Sequence, residues 1–273
     1  MTEITTVAAN RRPALADLLR ELWSYRGLVW AFSLRDLKVK YFQTVLGPLW
    51  VLMTPLITVG VMTFVFGLMV KVPSDGLPYL LFYLVAIVPW YAFLTTFSLT
   101  MSSLEAHASL INKIYFPRLV IGLAYALNSV VDFLVGFAVA IIVAASFSRL
   151  SAGFVLLMPV LLFVQVAWAL GLGFLLAPLN AKYRDVKHLV PLLVQLYYFA
   201  SPILYPASVA PWWMQWLYTL NPLAVVVTEY RSQLNGEGTH WLPLLYAIVV
   251  SILVLARGAV AFMRTERQMV DVL

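Results

Sequence analysis

The sequence has no cysteine, which excludes a disulfide framework, thiolate chemistry and any cysteine-ligated metal. Charge is scarce as well: only 11% of the 273 residues are Asp, Glu, Lys or Arg. A soluble domain of this length could not cover its apolar surface with so few charges. The three histidines, His107, His188 and His240, fall on separate loops, and neither an HExxH helix nor a catalytic pair of carboxylates occurs. No G-x-x-x-x-G-K-[ST] stretch is present, so no nucleotide is held on a phosphate loop. Catalysis by this chain alone is not expected, and neither a metal nor a cofactor of its own.

Hydrocarbon is what the chain has in abundance, at 63% hydrophobic residues. Several runs exceed the roughly 20 apolar residues that cross a bilayer. Six transmembrane helices are expected, at about 45–70, 77–103, 119–146, 150–178, 188–206 and 242–263, in an all-α integral membrane protein. Residues 1–44 lack the short apolar core and small-residue cleavage site of a secretory signal, so the first span is expected to act as its own insertion signal. With the N-terminus inside, fifteen Lys and Arg fall on the cytoplasmic side and only Lys71, Arg149 and Arg231 outside. That asymmetry places both termini in the cytoplasm. The net charge of +6 is met by anionic lipid and topology, and no nucleic acid is needed to explain it.

The connecting segments carry the finer signals. Leu15, Leu18, Leu19 and Leu22 recur at helical spacing before Gly27, a candidate stop. Ser33 and Asp36 form a capping-box pattern opening a second helix. In it Trp30, Leu34, Leu37 and Tyr41 share one side, and Arg35, Lys38 and Gln43 fall largely on the other. Such a helix lies in the membrane surface, either as a basic flank that sets topology or as a cuff for a cytosolic partner. In the loop between spans two and three, Ala106, Leu110 and Ile114 share a helical face beside Lys113, and Pro117 ends the helix. This is either an ordinary hairpin cap or a short helix that receives force. "NAKYRDVKH" at 180–188 reads as a solvated turn, with Arg184 and Asp185 open to pairing with neighbours. The external stretch 206–241 reads as two short helices, about 211–219 and 222–234, dipping into the outer interface. Trp212, Trp213, Trp216 and Tyr218 are expected at headgroup level.

Within the spans, Asp132 lies about 20 Å along the third helix from its cytoplasmic end. An intramembrane carboxylate is a functional hypothesis by default; the structural alternative is a local partner such as Asn128. Arg257, near the inner end of the last span, can snorkel to the surface. Trp50, Phe64, Trp90, Tyr91, Tyr197, Tyr198, Phe199 and Tyr205 crowd spans one, two and five. Each is either packing or a platform for a sugar ring, whose axial C–H bonds stack on aromatic faces. Pro55, Pro89, Pro159, Pro191 and Pro202 interrupt spans and mark packed or cavity-lining backbone.

Four stretches, "RDLKVKYFQTVLGPLWVLMTPLI" at 35–57, "INKIYFPRLV" at 111–120, "LNAKYRDVKHLVPLLVQLYYFASPILYP" at 179–206 and "LNPLAVVVTEYRSQLNG" at 220–236, resemble the membrane subunits of ABC-2 type polysaccharide exporters. The O-antigen and teichoic-acid exporters are the nearest in pattern, and the likeness runs in order from about residue 20 to the end. The resemblance implies two copies of this subunit with two copies of a separate cytosolic ATPase, which binds the ATP and magnesium. The cargo it implies is a glycan on undecaprenyl diphosphate, moved across the bacterial inner membrane. Residues 33–43 would be the amphipathic interface helix, with Arg35, Lys38 and Lys40 toward lipid headgroups. Residues 104–116 would carry the coupling helix, with Glu105, His107, Leu110, Lys113, Tyr115 and Arg118 toward the ATPase. Residues 208–235 would form two periplasmic gate helices. The channel would be lined mainly by spans one and five, with the aromatics above as rungs.

Rival readings remain at this level: an ABC-2 exporter of lipid, drug, teichoic acid or capsule, a membrane-embedded glycosyltransferase, and a proton-coupled flippase working through Asp132. The glycosyltransferase needs acidic residues converging on one face. Here Glu105, Asp185, Glu229 and Glu237 fall on different sides.

Overall fold

The structure is a computed structural model that describes residues 15–42, 47, 49–107 and 116–269. All regular elements among these residues are helical. In chain order they are α1 (Leu15–Ser24), α2 (Arg26–Phe42), α3 (Leu49–Met69), α4 (Tyr79–Met101), α5 (Ser103–Ala106), α6 (Leu119–Ser146), α7 (Ala152–Leu156), α8 (Met158–Lys182), α9 (Val186–Ala200), α10 (Trp212–Leu220), α11 (Pro222–Asn235) and α12 (Trp241–Met269).

Among the described residues, five helices are long and apolar enough to cross a membrane: α3, α4, α6, α8 and α12 up to Arg264. The expected fourth span is divided. α7 is a separate turn, and Pro159 sits in the first turn of α8, where its missing N–H would have no partner anyway. The expected fifth span fails for another reason. Pro202 disfavours the α region for the residue before it, Ser201 is extended (φ −99°, ψ 147°), and α9 stops at Ala200 after 15 residues, about 22 Å.

The chain nevertheless runs the length of α4 here. Lys187, at the start of α9, pairs with Glu105 at 2.8 Å, just beyond the C-terminal end of α4. At the other end of α4, the Tyr83 hydroxyl donates to the Leu204 carbonyl at 3.2 Å. The Arg231 guanidinium donates to the carbonyls of Pro202 (2.5 Å), Ile203 (2.9 Å) and Phe82 (3.3 Å). The traverse is thus a short helix followed by an extended tail. Non-helical backbone at membrane depth survives only where protein satisfies it, and Ser201–Leu204 is buried with these donors against it.

α4 is the central post, buried over most of its length. The most extensive interhelical contact joins α8 to α12, and glycine makes it possible. A Cβ on Gly258 would stand 2.3 Å from the Gly171 carbonyl oxygen, so only two bare backbones can approach this closely. The C-terminal part of α3, Thr63–Met69, is wound as a π-helix.

The N-terminal segment departs from its expected punctuation. The break falls at Tyr25, and Gly27 lies inside α2. Ser33 is no cap: its buried hydroxyl donates to Asn128 of α6 at 2.5 Å. The packed face of α2 is Leu28, Val29 and Phe32, while Trp30 and Leu34 are exposed. Period alone could not say which side of the helix α6 would claim.

Candidate functional site

Three groups of side chains stand out. The first lies where the basic residues gather and α2 runs along α6. Lys40 Nζ pairs with Asp132 Oδ2 at 2.5 Å, and the Tyr41 hydroxyl donates to Asp132 Oδ1 at 2.6 Å. Both oxygens of the carboxylate are engaged. The partner considered from sequence, Asn128, is taken by Ser33 instead. Burial above all, then the hydrogen bond to Asp132, raises the pKa of the Tyr41 phenol, so it stays a donor. α6 has 28 residues, about 42 Å against a hydrocarbon core of about 30 Å.

One helical turn away, α2 meets the segment leading out of α4. Arg35 Nη2 lies 3.2 Å from His107 Nε2. A guanidinium only donates, so Nε2 is the acceptor and Nδ1 carries the proton, directed at the Tyr125 hydroxyl 3.4 Å away. Burial, then the charge of Arg35, lowers the His107 pKa and keeps the ring neutral. Arg35 also pairs with Asp36 at 2.8 Å, and the Phe32 ring lies 6.4 Å from that of His107. With Glu105 on Lys187, the polar contacts join α2, α5, α6 and α9 at this end. Lys38 is exposed, and Arg118 is buried at the start of α6. Leu110, Lys113 and Tyr115 lie outside the described residues.

The second group is aromatic, and the expected rungs divide. Trp90 is 6% exposed, with Phe93, Tyr197 and Tyr198 around it at centroid distances of 5.7, 6.1 and 4.9 Å. Tyr197 accepts from Trp168 Nε1 at 3.1 Å and donates to Asn221. Both rings pack against protein neighbours, Trp90 buried and Tyr197 partly so. Tyr91 and Thr58 share a 3.0 Å hydrogen bond that ties α4 to α3. Tyr205 donates to the Phe199 carbonyl at 2.8 Å. Trp50, Phe64 and Phe199 present open faces, each about half exposed. They belong to α3 and α9, which lean on neighbouring residues of α4 and leave an apolar side open along Leu192, Leu196, Met53 and Ile57.

The third group was missed from sequence, which counted Arg231 as an outside cation and Glu229 as a loop acid. Both are buried on α11. Arg231 lies 3.5 Å from the Phe82 ring centroid, and burial pulls its pKa down to about 9, still charged at neutral pH. Burial raises the pKa of Glu229, and His240, at 2.9 Å, opposes the shift. The legible signal was the frame of α11. Asn221 caps it by accepting from the amides of Leu223 and Ala224, and Gly236 stops it at φ +75°. The two helices expected on the external side lie close to their expected limits. Yet α11 is mostly buried, not interfacial, and Tyr218 is buried rather than standing with the exposed Trp212, Trp213 and Trp216.

The family model described as ABC-2 type transporter matches residues 27–234. An O-antigen export system permease protein RfbA of Klebsiella pneumoniae is 31% identical over 206 residues, 74% of this chain and 78% of that protein. One of the same name from Myxococcus xanthus is 28% identical over 217 residues, 79% of this chain and 83% of its own. The polysialic acid transport protein KpsM of Escherichia coli is 23% identical over 247 residues, 88% and 93% of the two chains.

Proposed function

We propose, from the premise that the chain belongs to the ABC-2 type transporter family, that it is the membrane subunit of an exporter of lipid-linked, O-antigen-like polysaccharide. Two copies work with two copies of a separate cytosolic ATPase, which binds ATP and magnesium. The complex sits in the bacterial inner membrane with both chain termini in the cytoplasm, and the glycan travels on undecaprenyl diphosphate. A polysaccharide is preferred over a drug or simple lipid because similar proteins carry names of O-antigen and polysialic acid transport.

The observation that carries the reading is the unequal covering of the spans. α4 and α8 are mostly buried within the protomer, whereas α3 is 17% buried over its apolar window and only Val190 is buried on α9. Two aromatic-bearing, uncovered segments, each packed on α4, are what one half of a conduit presents before its second copy closes it. Trp50, Phe64, Tyr198, Phe199, Tyr91 and Tyr205 remain the candidates for contact with passing sugars. At the basic end, the ATPase would press on the 104–116 segment, and the contacts of His107 with Arg35 and of Glu105 with Lys187 would pass that motion to α2 and α9. Arg35, Lys38 and Lys40 would steer the lipid diphosphate toward the mouth.

The test uses the permease purified together with its ATPase in proteoliposomes loaded with lipid-linked glycan. ATP-dependent appearance of glycan on the far leaflet is expected. Arg35→Glu with Lys38→Glu should lower delivery several-fold while the ATPase still co-purifies. Delivery without any ATPase, or undiminished delivery by the reversed-charge variant, refutes the corresponding part.

A further inference from the structure

Between α3, α4 and α6 lies a groove of about 230 Å³. One end of it reaches a membrane boundary. α3 has 21 residues, about 30 Å and so matched to a hydrocarbon core of about 30 Å. Trp50, near the start of α3, therefore stands where the hydrocarbon begins, a depth that suits an amphipathic ring. Lys40 of α2 also lines the groove. From this end the lining changes character. On α4 it runs from Thr95 to Val88 and on α6 from Ser129 to Gly136, hydroxyls first and hydrocarbon last. That stretch is about 10 Å long. Its apolar end is closed, since a Cβ on Gly136 would stand 2.9 Å from Val88 Cγ1 and the two helices touch there.

Donors in this groove outnumber their acceptors. An ammonium carries three N–H groups, and Lys40 gives one of them to Asp132. Asp132 has both oxygens engaged, by Lys40 and Tyr41, so its charge is already answered. Tyr91 bonds with Thr58, and Ser129 donates to the Tyr125 carbonyl. The hydroxyls of Thr54 and Thr95 line the groove and make no hydrogen bond among the described residues. At membrane depth no water stands in for a missing acceptor, so such donors are costly unless a ligand meets them. The groove therefore asks for an anion, then a neutral acceptor, then hydrocarbon. A phospholipid has that order in its phosphate, ester carbonyls and acyl chain. A polyprenyl diphosphate has only hydrocarbon below its phosphates and would leave Thr54 and Thr95 unmet. The volume lies below the roughly 300–1,000 Å³ of drug-sized sites, which suits part of one chain.

We propose that this groove holds a membrane phospholipid, with its phosphate at Lys40, an ester carbonyl on Thr54 or Thr95, and one acyl chain against Val88 and Phe133. The lipid is a resident of the subunit, distinct from its cargo. The experiment is photolabelling of the permease–ATPase complex in nanodiscs, with phosphatidylglycerol carrying a diazirine midway along one acyl chain. Val88, Ala92 and Phe133 are buried, out of reach of lipid that merely surrounds the bundle. Label on them should exceed by at least fivefold that on Ile142 and Leu253, which are 68% and 60% exposed. Thr54→Val with Thr95→Val, checked for an unchanged melting temperature, should lower groove label at least threefold. If that pair unfolds, the dialkyl-ether form of the probe, which lacks ester carbonyls, should show the same loss on the wild type. Ile142→Ala should leave groove label within twofold. Groove label no higher than at Ile142 and Leu253 overturns the site, as does label indifferent to both the threonines and the esters. Stronger groove label from a diazirine-bearing polyprenyl diphosphate overturns it in favour of the carrier lipid. No groove label from either probe, the result expected if a second copy covers the face, overturns it as well. Glycan delivery plays no part in the readout, so each of these results leaves the transport reading where it stood.

Discussion

Asp132→Asn separates a carboxylate that works by titrating from one that works by holding two helices together. In the structure the side chain accepts from Lys40 at 2.5 Å and from Tyr41 at 2.6 Å. The amide keeps an acceptor for Tyr41 but turns a donor toward Lys40. The ion pair is about half exposed on the Lys40 side, so its loss is discounted to about 0.2–1 kcal/mol. Replacing a charged acceptor by a neutral one at Tyr41 removes about another 1 kcal/mol. The sum, about 1–2 kcal/mol, corresponds to a drop in melting temperature of a few degrees for a chain of this size. Intrinsic fluorescence of the nine tryptophans reports the melt in nanodiscs, and glycan delivery is read on the same preparation with its ATPase. Delivery should fall by no more than about threefold. In a Lys40→Met background the same substitution should be milder, since the pair it breaks is already gone. Loss of delivery beyond a hundredfold in a folded, ATP-hydrolysing complex refutes the reasoning and restores a proton-coupled role. Strict additivity of Lys40→Met and Asp132→Asn refutes the pair.

Two further perturbations test the frame. Gly258→Ala places a methyl 2.3 Å from a backbone oxygen, whereas at Gly60 nothing lies within 4 Å. The first should destabilise by about 1–3 kcal/mol as overpacking and the second should be neutral or stabilising by up to about 1 kcal/mol through helix propensity. Equal melting temperatures for the two refute the close α8–α12 approach. His107 has a folded pKa below its ordinary 6.5, chiefly through burial. Below that pH the unfolded chain takes the proton first, so stability falls as pH drops through 6.5 toward the folded value, at most ~1.4 kcal/mol per pH unit. Glu229, whose pKa is raised, acts in the opposite sense nearer pH 4.5. Melting of the wild type should fall between pH 6.5 and 5.5, and His107→Gln should flatten that slope. An unchanged slope removes His107 as its source.

Composition and periodicity marked the membrane class, the ends of α6 at 119–146 and the two external helices. Those properties are local, set by runs of apolar residues and by Asn221, Pro222 and Gly236 at helix ends. They did not mark which face of α2 is packed, because Ser33, Arg35 and Lys40 are placed by Asn128, His107 and Asp132, each more than 70 residues away. Nor did they mark the failure of the fifth span as one continuous helix. Its hydropathy is adequate, and the carbonyls of 202–205 leave the helical ladder because Arg231, 29 residues beyond Pro202, and Tyr83 receive them. The aromatic rungs divide for the same kind of reason: a ring's spacing along α4 or α9 does not reveal whether Tyr197 stands in front of Trp90.

The broken traverse joins the two ends of the molecule, and its parts differ in stiffness. From Val186 to Ala200 it is a helix that touches its neighbours sparingly, with Val190 buried and Leu189, Leu192, Leu193 and Leu196 open. A displacement entering at Lys187 therefore meets little resistance until Tyr197, which Trp168 and Asn221 hold. It cannot pass beyond Leu204 as rigid motion, because Tyr83 and Arg231 fix that backbone to the end of α4. The change must be absorbed at Ser201 and Pro202, where the helical hydrogen bonds have already ended. Arg231 of α11 thus ties the far side of that joint to the end of α4.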